Sequence, residues 1–204
     1  MIEMDVHNII VTGVGGQGNV LASQVIATAA VTEGYVVSVG ETFGASQRGG
    51  SVMSHIRVSR ATAYGPLIPR GQATVIIGFE PLETLRTLAA YGGNDTAVVM
   101  NRRPNYPLGA LLGDFVYPDL DQVIGAVRSA TKSLVVLEAT ELAVACGVPV
   151  GTNMVMTGAF AGLGVLDIRL STYEAVLGSL FAGEILALNL KAFEAGLAAV
   201  AAYQ

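Results

Sequence analysis

Short runs of apolar and β-branched residues recur along the first two thirds of the chain, and each run predicts a strand. The first run, Asn8 to Thr12, leads into a glycine-rich turn and then into an apolar helix over Asn19 to Val31. The same pattern predicts further strands at Tyr35 to Val39, Val52 to Val58, Thr74 to Phe79, Thr96 to Met100 and Ser133 to Leu137. The chain therefore opens with a β-turn-α unit.

Helical periodicity occupies stretches between and after the later strands. Helices are predicted at Pro81 to Ala90, Asp119 to Arg128 and Thr140 to Cys146. The segment after Thr152 predicts two or three successive helices and no strand. Alternation of this kind is typical of a mostly parallel sheet covered on both faces. We therefore expect a single domain over residues 1–204, with a three-layer α/β fold, a Rossmann-like β-turn-α opening and a helical C-terminal tail.

A glycine-rich, polar stretch between Gly40 and Ser51 interrupts this alternation and predicts a loop after the second strand. Its sequence is Glu41-Thr42-Phe43-Gly44-Ala45-Ser46-Gln47-Arg48-Gly49-Gly50. In doubly wound sheets, ligands bind in the crevice outside the carboxyl ends of the strands. We expect this loop and the glycine turn after Thr12 to lie at the same edge of the sheet, with the first strand placed centrally.

Composition adds an expectation about the surface. Charged residues make up 13% of the chain and hydrophobic residues 52%, with a mean hydropathy of +0.57. Little polar material is left to cover the surface, so an apolar surface that needs a partner is expected. Alternatively, the 25 glycines and many alanines raise the hydropathy without exposing apolar side chains. The net charge of −5 and the scattered basic residues oppose a nucleic-acid role.

The chain offers few ligands for metals or clusters. Cys146 is the single cysteine, and His7 and His55 lie far apart, so no iron–sulfur or zinc spacing can be assembled. The N-terminal residues are acidic rather than basic, which is wrong for a targeting peptide and makes the cytoplasm the expected compartment. The apolar stretch Val155 to Leu166 is too short to span a bilayer, so no membrane association is expected.

The turn Gly13-Val14-Gly15-Gly16-Gln17-Gly18 satisfies the pattern G-x-G-x-x-G between a strand and a helix. Backbone amides at such a helix N-terminus can bind an anion such as a phosphate. The glycines are equally required for a tight turn and for close packing of the helix. A dinucleotide site would also need an acid that closes the second strand, and Glu41 lies near that place at the start of the predicted loop.

Two basic residues near this loop have competing interpretations. Arg48 lies between Gln47 and Gly49-Gly50, where its guanidinium could clamp a phosphate or a carboxylate, or could pair locally with Glu41. His55 lies on a predicted strand without a Ser or Asp partner set, so a structural role is favoured over a catalytic one.

Four ordered motifs together resemble the γ-type domain of the 2-oxoacid:ferredoxin oxidoreductases. They are the glycine turn, Phe43 to Val52, Gly78 to Arg86, and Asn153 to Gly158, so the likeness spans Asn8 to Gly164. The form Ser46-Gln47-Arg48-Gly49-Gly50 is similar to the β subunit of the indolepyruvate type.

This resemblance implies a division of labour between subunits. A larger partner would hold thiamine diphosphate, Mg²⁺ and iron–sulfur clusters, decarboxylate an aryl-pyruvate, send electrons to ferredoxin and release the acyl group on coenzyme A. This chain would complete the active site of the hetero-oligomer, contact coenzyme A at the subunit interface, and be inactive alone, with no catalytic residue and no metal ligand of its own. The residues expected to contact that cofactor are Gly13, Gly15, Gly16, Gln17, Gly18, Ser46, Gln47, Arg48, Gly49 and Gly50.

Two other functions stay open at this level. The first is a freestanding NAD(P)-binding Rossmann oxidoreductase that uses the glycine turn and Glu41, although the chain lacks a convincing catalytic constellation. The second is a non-enzymatic module for nucleotide sensing or assembly.

Overall fold

The computed structural model describes residues 6–44, 50–106 and 108–203. Within them the strands are β1 (Val6–Val14), β2 (Val36–Phe43), β3 (Ser51–Ser59), β4 (Ala73–Gly78), β5 (Gly92–Asn101) and β6 (Ser133–Leu137). The helices are α1 (Asn19–Thr32), α2 (Pro81–Tyr91), α3 (Leu108–Leu112), α4 (Leu120–Ser129), α5 (Ala139–Ala145), α6 (Thr152–Gly162), α7 (Leu170–Leu180) and α8 (Gly183–Ala201).

The described strands form one mixed sheet in the order β2-β3-β1-β4-β5-β6. The pairs β1–β4, β4–β5 and β5–β6 are parallel, and β3 runs antiparallel to both of its neighbours, β1 and β2. Every strand except β3 therefore points in the same direction. The prediction of a mostly parallel sheet with a central first strand is confirmed.

Helices cover both faces of the sheet, which confirms the three-layer α/β architecture. On one face, here called the α1 face, Ile9 and Val11 of β1 pack into a core that includes residues of α1 and α5 to α8. On the opposite α2 face, Ile10 packs into a smaller core with residues of α2 and α4. Successive residues of β1 alternate between these cores because side chains of a strand point to opposite faces in turn.

The tail forms three helices, α6 to α8, and no strand, as predicted. Two glycines bring α6 and α8 into direct backbone contact. A Cβ at Gly158 would lie 1.9 Å from the Phe193 carbonyl oxygen, and one at Gly196 would lie 1.8 Å from the Val155 carbonyl oxygen. Only glycine permits so close an approach, so these positions dock the tail on the α1 face.

The predicted loop between Gly40 and Ser51 is shorter than expected, and this part of the prediction was wrong. Strand β2 continues through Glu41 to Phe43, and β3 begins at Ser51, with Phe43 paired to Val52. The connection therefore joins two antiparallel neighbours, as in a hairpin. Helix α3 was not predicted either.

Candidate functional site

The turn after β1 depends on its glycines for geometry. Gly16 and Gly18 have φ values of 103° and 83°, in the left-handed region that disfavours residues with a Cβ. A Cβ at Gly13 would lie 2.6 Å from Gln17 Oε1 and 2.8 Å from Phe79 Cβ. The glycines of this motif are therefore required for the conformation of the turn and for its close packing, whatever the turn binds.

Two backbone amides of this turn already donate hydrogen bonds within the fold. The Gly15 amide donates to the Gly50 carbonyl (2.9 Å), and the Gln17 amide donates to the Val14 carbonyl (3.3 Å). Among the residues that the structure describes, the amides of residues 18–21 have no hydrogen-bond partner. These are the first amides of α1, the group of donors that binds anions at helix N-termini.

Gln17 ties the turn to the neighbouring strand. Its Oε1 accepts from the Val14 amide (2.8 Å), and its Nε2 donates to the Phe79 carbonyl just beyond β4 (3.1 Å). The same carbonyl accepts from Asn101 Nδ2 at 3.3 Å. Side chains thus join the carboxyl ends of β1, β4 and β5 into one ordered edge. These contacts position Gln17, while its predicted role in ligand binding stays a prediction.

A cavity of about 320 Å³ opens at this edge on the α1 face. Its lining residues are Gly15, Gly16, Gly18, Asn19, Val20, Phe43 and Val52. They come from the turn, from the first turn of α1, and from the paired ends of β2 and β3. The glycine turn and both described ends of the β2–β3 connection therefore meet at one edge, as predicted.

Two helix N-termini converge beside this cavity. A Cβ at Gly18, the residue that precedes α1, would lie 2.7 Å from Asn153 Nδ2, and Asn153 is the second residue of α6. Neither helix has an acidic residue in its first turn or a capping side chain at its N-cap residue, although in α6 Asn153 Oδ1 accepts from the Met154 amide (3.0 Å). The partial positive charges of two helix termini therefore act on the same region, which favours an anion there.

Asn19 is a site residue that the sequence interpretation missed. The residue is one of those that line the cavity and is 3% exposed, and neither Oδ1 nor Nδ2 has a hydrogen-bond partner in the described part of the chain. Buried side-chain amides are normally hydrogen-bonded, because an unpaired buried polar atom costs about 1–3 kcal/mol. The only sequence signal was a polar residue at the start of a mostly apolar helix.

A second, polar cavity of about 240 Å³ lies on the other side of Gln17 along the same edge. Its lining residues are Gln17, Asn101, Arg103, Pro104, Asn105 and Thr140. Asn101 is held in place, since its Oδ1 accepts from the Ala139 amide (3.1 Å) and its Nδ2 contacts Thr140 Oγ1 (3.2 Å). The carboxyl edge of the sheet therefore presents crevices on both sides of the glycine turn.

Glu80 is a buried acid at the same edge. Its side chain accepts hydrogen bonds from the Tyr117 hydroxyl (2.5 Å) and from the Glu83 amide (2.8 Å), the latter as the N-cap of α2. Burial raises the pKa of the Glu80 carboxyl, and the hydrogen bonds from Tyr117 and Glu83 oppose that rise. Burial beside Glu80 also raises the pKa of Tyr117. Glu80 thereby anchors the segment that follows β5.

The structure does not describe several of the predicted site residues. Ser46, Gln47, Arg48 and Gly49 lie outside the described residues, so their binding roles stay predictions, as does the alternative pair between Arg48 and Glu41. Gly50 is described, and its carbonyl accepts the Gly15 amide.

Glu41 does not begin a loop, because it lies inside β2. Strand β3 stands between β2 and β1, so Glu41 is displaced from the glycine turn by about twice the usual 4.8 Å spacing of strands. In a dinucleotide site the corresponding acid ends a strand directly beside β1. This geometry removes the main support for a freestanding NAD(P) enzyme.

His55 is buried within the sheet. Its Nδ1 accepts from the Ile68 amide at 3.4 Å, its ring contacts Tyr91 edge to face, and burial lowers its pKa. These contacts agree with a structural role, although its buried Nε2 has no hydrogen-bond partner among the described residues.

Comparison with known proteins places the chain among oxidoreductases. Residues 8–199 match the family model described as pyruvate ferredoxin/flavodoxin oxidoreductase. The chain belongs to this family. It is 39% identical to the indolepyruvate oxidoreductase subunit IorB of Archaeoglobus fulgidus over 93% of this chain and 92% of that protein.

Two solved structures of oxoacid:ferredoxin oxidoreductases show the same fold. The γ subunit of a keto/oxoacid ferredoxin oxidoreductase from Geobacter sulfurreducens matches 96% of this chain and 99% of its own, with a TM-score of 0.69 and 21% identity. The 2-oxoglutarate:ferredoxin oxidoreductase of Magnetococcus marinus, with 2-oxoglutarate, coenzyme A and succinyl-CoA bound, matches with a TM-score of 0.73 and 26% identity. That match covers 97% of this chain and 31% of the Magnetococcus chain.

The redox cofactors common in such enzymes do not fit this chain. An iron–sulfur cluster is usually held by four cysteine thiolates, whereas the chain has one cysteine, Cys146, which is buried. The described residues contain no group of three His, Cys, Asp or Glu side chains that could hold a metal ion. No helix in the described ranges is long and apolar enough to cross a membrane.

Proposed function

We propose that this chain is the small subunit of a thiamine diphosphate-dependent 2-oxoacid:ferredoxin oxidoreductase of the indolepyruvate type. In this proposal a larger subunit holds thiamine diphosphate, Mg²⁺ and the iron–sulfur clusters, acts on an aryl-pyruvate and passes electrons to ferredoxin. The small subunit completes the active site at their interface and works in the cytoplasm. The observation that carries the proposal is the 39% identity to an indolepyruvate oxidoreductase subunit over nearly the whole of both chains.

The chain's own contribution is the ordered edge around the glycine turn. The free amides at the start of α1 and the converging N-terminus of α6 favour a phosphate group. Coenzyme A accepts the acyl group when it is bound, and its phosphates supply anions of this kind. We assign the contact between these phosphates and the subunit to the cavity beside Gly16, Gly18 and Asn19. The catalytic residues belong to the larger subunit in this proposal.

Purification of the assembled protein tests the division of labour. A tagged copy of this chain, expressed in its own host, should copurify with a larger protein that contains thiamine diphosphate and absorbs visible light through its iron–sulfur clusters. A chain that purifies alone with stoichiometric nicotinamide nucleotide would instead support the freestanding enzyme. A chain that binds nucleotide but copurifies with no partner and shows no activity would support the sensing or assembly module.

Arg48 offers a second test, at a position outside the described residues. If its guanidinium holds a coenzyme A phosphate through two parallel hydrogen bonds, Arg48→Lys should lose about 1.5–3 kcal/mol of that contact, because an ammonium group cannot reproduce the planar fork. The apparent KM for coenzyme A should then rise in the assembled enzyme while the melting temperature of the subunit stays unchanged. If Arg48 only pairs with Glu41, Arg48→Lys should lower the melting temperature and leave the kinetics unchanged, which would contradict a binding role.

A further inference from the structure

Strand β2 leaves one edge of the sheet open. It is an outermost strand of the sheet and pairs with β3 at every residue from Val36 to Phe43. Natural proteins usually protect such an edge with a lysine, a proline, a bulge or a covering element, because an open edge can pair with another strand. Residues 36–40 contain no charged residue and no proline, and their register with β3 has no bulge. The edge therefore lacks the usual protection.

The opposite edge of the sheet is treated differently. Strand β6 has only five residues, Ser133–Leu137. The segment after α8 reaches this strand, and the Tyr203 hydroxyl donates to the Val136 carbonyl at 2.5 Å. A short strand and a covering contact both discourage pairing with another chain. The difference between the two edges points to β2 as the one that is open to a partner.

The ladder between β2 and β3 shows which backbone groups of β2 point outward. The Gly44 amide donates to the Ser51 carbonyl (2.9 Å), so this pair of residues is a hydrogen-bonded one. Such pairs alternate along an antiparallel ladder, so the amides and carbonyls of Val37, Val39 and Glu41 point away from β3. Among the residues that the structure describes, these outward groups have no hydrogen-bond partner. They present the alternating donors and acceptors that another antiparallel strand requires.

The surfaces on both sides of the β2 edge are suited to contact with protein. Val39 pairs with Ile56, which belongs to the core on the α1 face, so the Val39 side chain lies on that face and is 40% exposed. Helix α1 packs on β2 there and contains no charged residue. On the α2 face the exposed Leu67 lies beside Gly40. Stable interfaces bury about 1,200–2,000 Å² in total, so these flanks have to join the strand pair.

We propose that the β2 edge binds a second copy of this chain, with the two β2 strands paired antiparallel about a two-fold axis at Val39. This pairing joins the two six-stranded sheets into one. A two-fold interface needs a surface that is complementary to itself. An antiparallel edge meets this condition, because each row of donors and acceptors faces the same row reversed. Self-association of this kind does not depend on the catalytic role proposed above.

The only charge on β2 favours this register. With Val39 opposite its own copy, Glu41 faces Val37, and the two Glu41 residues lie four positions apart along the strands, about 13 Å. This separation exceeds the Debye length of about 8 Å at physiological ionic strength. A two-fold axis at Gly40 would instead bring the two Glu41 residues to within about 8 Å of each other. Repulsion therefore disfavours the neighbouring register.

Sedimentation equilibrium of the full chain over a range of concentrations tests the self-association. We expect a species with twice the mass of the 21.0 kDa chain. Val39→Lys places two like charges opposite each other at the axis and should weaken the dimer at least about tenfold, with the monomer still folded. Val150→Lys is the control, since Val150 is 87% exposed but lies outside β2, and it should leave the dimer unchanged.

Cross-linking gives a second measurement that does not require the lysine variant to fold. Hydrogen-bonded antiparallel partners have Cα atoms about 5.5 Å apart, within the range that a disulfide spans. Val39→Cys should therefore form a disulfide-linked dimer on mild oxidation. Val150→Cys and the unchanged chain, whose one cysteine is buried, should not.

Three results would each overturn the second-copy interface. They are a chain that stays monomeric at every concentration, a dimer that Val39→Lys leaves equally tight, and a Val39→Cys chain that forms no linked dimer. A β2 edge that is covered only after a larger subunit is added would produce the first result, and would assign the edge to that subunit instead.

Discussion

Gly18 meets two separate demands at the start of α1, and each can be measured. Its φ of 83° is unfavourable for any residue with a Cβ, and the added atom would also press on Asn153. Gly16 has a φ of 103° but nothing within 4 Å of the position where its Cβ would lie. The two glycines thus form a matched pair. A side chain at Gly16 would cause backbone strain alone, and a side chain at Gly18 would cause backbone strain and a clash with Asn153.

Alanine substitution should therefore affect the two positions unequally. Gly16→Ala should lower the free energy of unfolding by about 1–2 kcal/mol through backbone strain, and Gly18→Ala should lower it further. Urea unfolding of both variants gives the comparison. Adding Asn153→Ala to Gly18→Ala should recover part of the extra loss, because the two positions are in contact. Equal losses at both glycines would show that the close approach of α1 and α6 is unimportant.

The sequence predicted the turn residues more fully than their surroundings. The spacing of Gly13 to Gly18 between a strand and a helix is a local signal, and the positive φ values at Gly16 and Gly18 agree with it. The state of Asn19 depends on which polar groups other elements bring near it. No local pattern can report that a buried amide has no partner, so this residue became a candidate only in the folded chain.

At the scale of elements, the buried carboxyl of Glu80 links α2 to the segment after β5. Burial raises the pKa of Glu80 above 4.5, its ordinary value, so the folded chain retains a proton at pH values where the unfolded chain has lost it. This contribution to stability is fully present below pH 4.5 and is lost as the pH rises through the pKa of the folded state.

Glu80→Gln should remove this pH dependence, because glutamine keeps an acceptor for the Glu83 amide and a partner for Tyr117 but does not titrate. The difference in unfolding free energy between the unchanged chain and the variant should therefore fall as the pH rises from 4.5 toward neutrality. Chemical unfolding at a series of pH values measures this difference. A difference that is constant, or that grows with pH, would contradict the raised pKa.

The direction of β3 shows where sequence interpretation of the elements failed. The hydrophobic pattern identified the strand, but strand periodicity is the same in either direction. Direction follows from the connection, since parallel neighbours need a crossover of a dozen or more residues. The second strand was predicted to end at Val39 rather than Phe43, and the sequence interpretation assigned no direction to β3. The pairs β4–β5 and β5–β6 are parallel, and helices join the two strands of each pair.

At the scale of the whole molecule, several large apolar side chains are exposed. Leu112, Val116, Val150 and Ile185 are between 61% and 93% exposed. Scattered apolar residues are common on monomers, but this surface belongs to a chain that is 13% charged. The same domain fold forms 31% of the longer Magnetococcus chain, where it is one part of a larger polypeptide. The proposed role as a subunit that a partner covers would account for both observations.

Reconstitution of turnover tests the central claim most directly. The chain, its larger partner and the two combined should be compared for 2-oxoacid-dependent reduction of ferredoxin or viologen in the presence of coenzyme A. We predict no reduction by this chain alone, since it lacks the ligands for an iron–sulfur cluster, and full activity only when both subunits are present. Measurable reduction by rigorously cluster-free chain, or a partner that is equally active without it, would contradict the account.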